Sequence, residues 1–154
     1  SRDTDQNPIT MPRTITHIFV HCTASAQSWT VADLMAEFRR KGWKYPGYHY
    51  AITADGTTHQ LLDEREVANG VKGYNASAVH VAYMGGIHGQ GGKIVGTDNR
   101  TTAQKASLRI LLQTLRARYP QAHILGHRDI WGKSPREWLK ECPCFDAEAE
   151  YADI

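Results

Sequence analysis

Apolar positions along the chain fall in short runs that are rich in β-branched and aromatic residues, a composition typical of strands. The first run, Thr-Ile-Thr-His-Ile-Phe-Val-His, predicts a buried strand over residues 14–21. Similar runs follow at 48–54, 57–61, 79–84 and 123–127. Asp55-Gly56 separates the second run from the third, and this dipeptide favours a tight turn between two strands. The pattern therefore predicts a set of short strands that includes one hairpin.

Two longer segments carry a helical period instead, with apolar residues at i, i+3, i+4 and i+7. Thr30 and Asp33 resemble a capping box at the start of the first helix, and Gly42 ends it. The second helix is predicted over 101–118, where Thr101 opens another capping box. The two apolar stripes consist of Val31, Leu34, Met35 and Phe38 and of Leu108, Leu111, Leu112 and Leu115.

The remaining segments comprise a third helix with a strong start signal, a glycine-rich segment and an acidic tail. A third helix is predicted to begin at Ser134, because Pro135 suits the first helical position, and to lead to Cys142. Residues 87–100 include four glycines and few large apolar residues, which predicts a mobile surface loop. The acidic tail after Asp146 is expected to be peripheral.

Strands and helices thus mix along one chain without repeats or a low-complexity linker. The arrangement predicts a single α/β domain with a mixed central β-sheet flanked by helices. We assign this domain to residues 14–154. Residues 1–13 are interpreted as an N-terminal tail that is either disordered or a remnant of the expression vector. We expect removal of residues 1–10 to leave folding and activity unchanged.

Composition narrows the class of protein. The 154 residues carry a formal net charge of +2, which is too mild to indicate a nucleic-acid-binding protein, so no nucleic-acid partner is expected. The basic cluster Arg39-Arg40-Lys41 is interpreted as the solvated end of the first helix. No apolar run approaches ~18 residues, so no membrane span is predicted. Three cysteines cannot close a disulfide framework and indicate free thiols or metal ligands. We expect a soluble globular protein, most simply a monomer.

Two histidines and one cysteine are candidate metal ligands. His21 ends the first strand, at the sheet edge where α/β proteins commonly bind ligands. His127 ends the last predicted strand, and Cys142 follows at the end of the third predicted helix. Two imidazoles and one thiolate are a known ligand set for catalytic zinc. The spacing alone is weak evidence, because no pair is compact. Cys22 is expected to face away from His21 as a small buried residue.

The other histidines compete for the same role. His17 lies on the same strand face as His21, four residues earlier. His49 is interpreted mainly as a hydrogen-bonded structural histidine, with a ligand role as the less favoured alternative. His59, His80 and His88 have no ligand-like neighbours in sequence. His123 lies four residues before His127, but Gly126 is expected to break the strand geometry between them.

Five short motifs occur in order along the chain. They are Phe-Val-His-Cys-Thr-Ala-Ser (19–25), Gly-Tyr-His-Tyr-Ala-Ile (47–52), Gly-Tyr-Asn-Ala-Ser (73–77), Gly-His-Arg-Asp (126–129) and Lys-Glu-Cys-Pro-Cys-Phe-Asp (140–146). Together they resemble the motifs of the type 2 N-acetylmuramoyl-L-alanine amidases, a group that includes small phage endolysins and the peptidoglycan recognition proteins. The resemblance runs from about Thr14 to Asp146, and five motifs in order are far more specific than any one alone.

The resemblance implies a Zn²⁺ site formed by His21, His127 and Cys142. It also implies that Tyr48 and Lys140 belong to the active site. Amide hydrolysis develops negative charge on the carbonyl oxygen, and a cationic Lys140 can neutralise that charge. The hydroxyl of Tyr48 can hydrogen-bond the same oxygen or relay a proton, and the sequence leaves both roles open.

Two departures from the family pattern leave further alternatives. In the family the last ligand precedes Pro-Gly, whereas Cys144 follows Pro143 here. Cys144 is therefore a minor alternative to Cys142 as the ligand, or a redox partner of it. Many members carry a histidine shortly before the Gly-x-Asn segment, and residues 68–75 contain none. The substrate contacts of that segment are therefore left open.

The activity implied by the resemblance is zinc-dependent hydrolysis of bacterial peptidoglycan, at the amide between N-acetylmuramic acid and L-alanine of the peptide stem. A phage or prophage endolysin fits best, with a bacterial remodelling amidase as a near relative. Since residues 1–10 lack a signal-peptide pattern, we expect synthesis in the cytoplasm and action on the cell wall after release. The rival hypothesis is a non-catalytic peptidoglycan-binding recognition module. A third role, binding of a host enzyme, is not tested by any residue pattern.

Overall fold

The computed structural model describes residues 13–154. Residues 1–12 of the predicted tail lie outside this range. Arg13, the last residue of that tail, is attached to the folded domain. Its guanidinium donates hydrogen bonds of 2.6–3.2 Å to the backbone carbonyl oxygens of Glu64, Asn75 and Ala78.

A mixed five-stranded sheet lies at the centre of the domain. The strands of the described chain are β1 (His17–Cys22), β2 (Tyr50–Ile52), β3 (Thr58–Gln60), β4 (Ala78–Tyr83), β5 (Ile87–Gln90), β6 (Lys93–Gly96) and β7 (His123–Gly126). The central sheet has the order β3-β2-β4-β1-β7. Its strands are parallel except for β3, which pairs antiparallel with β2. The predicted single α/β domain with a mixed sheet is confirmed.

Helices flank this sheet as predicted. They are α1 (Val31–Arg40), α2 (Thr102–Arg118) and the short α3 (Ala147–Glu150). Both capping boxes are present: the hydroxyl of Thr30 accepts from the backbone N–H of Asp33, and that of Thr101 accepts from Gln104. Within residues 13–154 no helix is long and apolar enough to cross a membrane.

The two long helices cover opposite faces of the sheet. The leucines of α2 share a buried cluster with Ile18 and Val20 of β1. On the other face, Leu34 of α1 packs in a cluster with Ala51 of β2. Side chains alternate between the two faces along a strand, so His21 lies on the face turned away from α2. This face, at the carboxyl end of β1, carries the candidate site.

The prediction of a mobile loop over 87–100 is wrong in part. Strands β5 and β6 form an antiparallel hairpin within it. Gly91 and Gly92 connect them with φ angles of 57° and 78°, as expected for a two-residue hairpin turn. The sequence contained this turn signal, but the flanking residues are mostly exposed and show little of the apolar alternation that identifies a strand.

The prediction of a third helix from Ser134 to Cys142 is also wrong. Only one 3₁₀ turn forms, at Pro135–Glu137, although the predicted capping box at Ser134 is present. The chain extends at Trp138, whose indole N–H donates to an earlier backbone carbonyl over 2.9 Å. Leu139 is 79% exposed, so no apolar stripe exists that a longer helix could bury. Cys142 therefore reaches the sheet on irregular backbone.

The acidic tail after Asp146 is part of the folded domain, contrary to the prediction. Tyr151 is buried in the cluster beneath α2. Glu150 accepts hydrogen bonds of 2.8 and 2.9 Å from the buried guanidinium of Arg100, which also pairs with Asp98. The tail looked solvated in sequence because the charge that pairs with it lies fifty residues earlier.

Candidate metal centre and active site

The three candidate metal ligands meet at one edge of the sheet. The ligand atoms of His21, His127 and Cys142 all lie within 4.8 Å of one another. Nδ1 of His21 is 3.7 Å from Sγ of Cys142. Three residues that are far apart in sequence are thus close enough to hold one metal ion.

Strand pairing explains how the two histidines converge. Strands β1 and β7 are parallel neighbours, with Val20 opposite Gly126. His21 directly follows Val20, and His127 directly follows Gly126. Because the carboxyl ends of parallel strands lie at the same edge of a sheet, the two histidines come together there. His21 is still within β1, whereas His127 begins a 3₁₀ turn that ends at Trp131. Their ring centroids are 4.9 Å apart.

The loop that carries Cys142 is fixed by its neighbours on both sides. The backbone N–H of Arg128 donates to the carbonyl of Cys142 over 2.9 Å. The next carbonyl, that of Pro143, accepts a 2.7 Å hydrogen bond from the buried hydroxyl of Tyr83. The ring of Pro143 lies so close to Gly126 that a β-carbon there would fall 2.7 Å from it. The loop is therefore held against β7 and β4, with the thiol facing His21.

Backbone groups of β1 also contact the thiol. The N–H of Cys22 donates to Sγ of Cys142 over 3.2 Å. A hydrogen bond donated to sulfur favours the thiolate, which is the form that binds metals. The side chain of Cys22 itself is buried in the apolar cluster on the opposite face, as predicted.

Both histidines are held in the neutral form that a metal ligand requires. Burial, together with the nearby imidazoles of His80 and His127 and the ammonium of Lys140, lowers the pKa of His21 well below its ordinary value. Burial and then the charge of Lys140 lower the pKa of His127 to about 4. Nε2 of His21 is 2.9 Å from Nδ1 of His80, which leaves Nδ1 of His21 directed toward Cys142.

A cavity of about 140 Å³ opens over this cluster. Tyr48 and Lys140 line it together with the three candidate ligands. The hydroxyl of Tyr48 donates to the carbonyl of Cys22 over 3.3 Å. Burial first, and then the neighbouring thiols of Cys142 and Cys22, raise the pKa of Tyr48 well above its ordinary value. Tyr48 therefore keeps its proton at neutral pH and faces the cavity as a hydrogen-bond donor.

The family model for N-acetylmuramoyl-L-alanine amidase matches residues 11–144 of the chain. The chain belongs to the N-acetylmuramoyl-L-alanine amidase family. This amidase is 38% identical over 138 residues to the endolysin of Enterobacteria phage T3, across 88% of the chain and 85% of that endolysin. It is 36% identical over 131 residues to the endolysin of Klebsiella phage KP32, across 84% of the chain and 80% of that protein.

A solved structure shares the fold of the amidase. The N-acetylmuramoyl-L-alanine amidase LysC from Clostridium intestinale superposes with a TM-score of 0.71, covering 94% of this chain and 86% of LysC. Its sequence is 24% identical, so this likeness supports the fold alone. The relatives of higher identity and the family match make the chain an amide hydrolase rather than a binding module.

The other histidines of the amidase fall into two groups. His49 is a buried structural histidine, as the sequence favoured: its Nδ1 accepts from the backbone N–H of His80, and its Nε2 donates to the carbonyl of Glu66. His80 was given no role by sequence reasoning, yet it contacts His21 directly. The remaining histidines lie outside the cluster of candidate ligands formed by the described residues.

The second thiol beside the site faces elsewhere. Sγ of Cys144 is 3.4 Å from the carbonyl oxygen of Gly86, and the residue packs against the buried cluster beneath α2. Burial and a hydrogen bond with the thiol of Cys22 raise the pKa of Cys144, with that hydrogen bond as the larger cause. A thiol that is held protonated is a poor metal ligand. Of the two cysteines in this loop, Cys142 has the geometry of a ligand.

Proposed function

We propose that this amidase is a zinc-dependent peptidoglycan hydrolase with His21, His127 and Cys142 as the ligands of the ion. The reaction is cleavage of the amide between N-acetylmuramic acid and the L-alanine of the peptide stem. The endolysin relatives support bacterial peptidoglycan as the substrate and the cell wall as the place of action.

The spacing of the ligand atoms supports zinc. With Zn–S and Zn–N bonds of ~2.3 and ~2.05 Å, a tetrahedral ion would separate its sulfur and nitrogen ligands by about 3.6 Å. The distance between Sγ of Cys142 and Nδ1 of His21 is 3.7 Å. This separation matches that of two zinc ligands, and the convergence of all three ligand atoms within 4.8 Å of one another is the observation that carries the proposal.

The chemistry of the three residues fits the same ion. Two neutral imidazoles and one thiolate suit a borderline-soft cation such as zinc better than the hard cations, which prefer oxygen. Zinc held by these three residues would act as a Lewis acid and would lower the pKa of the attacking water to ~7. The backbone N–H of Cys22 would donate a hydrogen bond to the thiolate that binds such an ion.

Lys140 is proposed to stabilise the negative charge that develops on the carbonyl oxygen of the scissile amide. Its ammonium is close enough to lower the pKa of both His21 and His127. Among residues 13–154, no carboxylate forms an ion pair with it. A positive charge without a counter-ion in a partly enclosed cavity is available for a developing oxyanion.

Tyr48 is proposed to donate a second hydrogen bond to the same oxygen. Its raised pKa argues against a role as general base, because the phenol does not lose its proton near neutral pH. The hydroxyl is bonded to the carbonyl of Cys22 at 3.3 Å, a long bond that can be exchanged for a charged acceptor. Of the two roles that the sequence leaves open, we therefore propose donation to the oxyanion.

The test is the clearing of purified peptidoglycan by the metal-stripped protein, with and without added zinc, followed by an assay of the new chain ends. We expect clearing that depends on zinc and releases L-alanine amino groups. New reducing sugars would indicate a glycosidase and contradict the proposal. Co-sedimentation with the wall without any clearing would indicate binding alone.

A further inference from the structure

His80 contacts His21, one of the three proposed metal ligands. It lies on β4, is fully buried, and places Nδ1 2.9 Å from Nε2 of His21. This is the side of the His21 ring that faces away from Cys142, because Nδ1 of His21 is the atom near the thiol. His80 is thus the hydrogen-bond partner of the ring nitrogen that does not face the cluster.

The ring of His80 is fixed in position. It lies nearly parallel to the ring of Phe19 on one side, with centroids 5.7 Å apart, and to that of His49 on the other, at 6.0 Å. The backbone N–H of His80 donates to Nδ1 of His49 over 3.0 Å, and its carbonyl accepts from the N–H of His49 over 2.9 Å. These contacts leave the imidazole of His80 little freedom to turn away from His21.

The donor and acceptor properties of imidazole determine which ring, His21 or His80, carries the proton between them. A neutral imidazole has one donor and one acceptor nitrogen. If Nδ1 of His21 is to bind a metal ion, its proton must sit on Nε2, and Nδ1 of His80 must then accept it. The opposite tautomers would place a proton on Nδ1 of His21, between that nitrogen and Sγ of Cys142, and block it as a ligand.

Nε2 of His80 strengthens this interpretation. It is buried and has no hydrogen-bond partner among the residues that the structure describes. An unpaired buried polar atom destabilises a fold, and an apolar side chain would fill the same space without that cost. A histidine that is kept here in spite of the unpaired atom is best explained by what its other nitrogen does for His21.

Gly70 makes room for this contact. A β-carbon at position 70 would fall less than 3 Å from Nδ1 of His80, a separation that real side chains essentially never show. Gly70 also lines the cavity above the candidate ligands. Residue 70 must therefore be glycine for the ring of His80 to reach His21.

We propose that His80 is a positioning residue of the metal centre: its Nδ1 accepts the proton on Nε2 of His21 and so keeps Nδ1 of His21 free and aimed at the metal. The proposal rests on the zinc site proposed above. A ligand histidine usually donates its second N–H to a carboxylate, a carbonyl or water. In this protein a neutral imidazole takes that place, so the ligand is oriented without any added negative charge.

The test compares two substitutions that differ in one property. His80→Asn keeps an acceptor oxygen the same number of bonds from the backbone as Nδ1, whereas His80→Leu fills similar space without an acceptor. The zinc dissociation constant of each metal-stripped protein is measured by competition with a chromophoric chelator. We expect His80→Leu to weaken zinc binding about 10- to 100-fold and His80→Asn to stay near the wild type. His59→Leu, at a histidine outside the cluster, is the matched control and should leave the constant unchanged.

The ring protons of the wild type give a second readout that needs no variant. Long-range proton–nitrogen NMR of the zinc-loaded protein should show both His21 and His80 protonated at Nε2. Protonation of His80 at Nδ1 would overturn the proposal, as would equal zinc affinities of His80→Leu and the wild type, or an equal loss in His80→Asn and His80→Leu. A wild type that binds no zinc would instead overturn the zinc site itself, so the two failures are distinguishable.

Discussion

The backbone N–H of Cys22 points at Sγ of Cys142 across 3.2 Å, joining the end of β1 to a loop that lies 120 residues later in the chain. One residue earlier, His21 faces the same sulfur. A thiolate at this position would thus receive a hydrogen bond from the same strand that carries His21, which is proposed as a second ligand. The geometry of the candidate site therefore depends on the register of this strand against the loop, and we expect zinc binding to stabilise both.

Cysteine substitutions separate the two candidate thiols. Cys142→Ser should abolish stoichiometric zinc binding and hydrolysis together, because the hydroxyl of serine is a far weaker ligand than a thiolate. Cys144→Ser should keep both, since Sγ of Cys144 faces the carbonyl of Gly86. Elemental analysis of the dialysed proteins measures the zinc, and release of L-alanine amines measures hydrolysis. Full zinc occupancy in Cys142→Ser would remove Cys142 from the ligand set.

Lys140 should affect turnover without affecting the metal. Lys140→Ala removes the charge that is proposed to face the oxyanion, and a loss of about 10²- to 10³-fold in kcat is expected. Zinc stoichiometry should stay at the wild-type value, because the ammonium is not a ligand. Lys105→Ala, on the exposed side of α2, is the control for loss of one positive charge. Wild-type kcat in Lys140→Ala would exclude Lys140 from the mechanism.

The regular parts of the fold could be predicted because their signals are local. The stripe of α2 and its capping box at Thr101 identify a helix without any knowledge of its neighbours. The prediction of a peripheral tail is wrong because no local pattern in the sequence shows that Glu150 pairs with Arg100. The prediction of a helix after Ser134 is also wrong. A signal for the start of a helix is present there, but the buried apolar stripe that stabilises a longer helix is absent.

The residues of the candidate site also divide into those that the sequence could predict and those that it could not. His21, His127 and Cys142 could be selected from sequence because the motifs around them resemble those of a known family, although their spacing carries little information. The contact of His80 with His21, on which its proposed role rests, could not be predicted, because it follows from strand register. In the parallel pairing of β1 with β4, His80 lies opposite Phe19 and hence diagonal to His21 on the same face. No local pattern in the sequence specifies that register.

Tyr48→Phe tests whether the phenol donates a hydrogen bond in the transition state. Loss of the hydroxyl should lower kcat by about 10²-fold and leave zinc binding intact. The pH dependence of kcat should keep its shape, because the raised pKa of Tyr48 means that the phenol does not titrate in the working range. A pH profile that loses one limb in Tyr48→Phe would show that the hydroxyl relays a proton instead.

The buried histidines should make the metal-free protein sensitive to acid. Burial lowers the pKa of His127 to about 4, with the charge of Lys140 as a second cause, and it also lowers the pKa of His21, His49 and His80. In the unfolded chain each histidine titrates near 6.5, so between pH ~6.5 and ~4 the unfolded state binds more protons. The free energy of unfolding should therefore fall as the pH drops through this window, by up to about 1.4 kcal/mol per pH unit for each histidine.

Denaturant titrations of the metal-stripped protein at several pH values measure this loss. Saturating zinc should delay it, because bound metal competes with protons for His21 and His127. A free energy of unfolding that stays constant from about pH 7 to pH 5 in the stripped protein would contradict the neutral state assigned to the buried histidines.

Glu150 should stabilise the whole domain, although it lies in a tail that looks dispensable in sequence. The guanidinium of Arg100 has a side-chain exposure of 2%, bonds Glu150 and Asp98, and stacks 3.4 Å from the ring centre of Phe145. Glu150→Ala leaves part of this buried charge unpaired and should cost about 2 kcal/mol of the free energy of unfolding. Glu37→Ala, which breaks an exposed ion pair within α1, should leave the denaturation midpoint almost unchanged. Equal midpoints for the two variants would mean that α3 is not part of the cooperative unit.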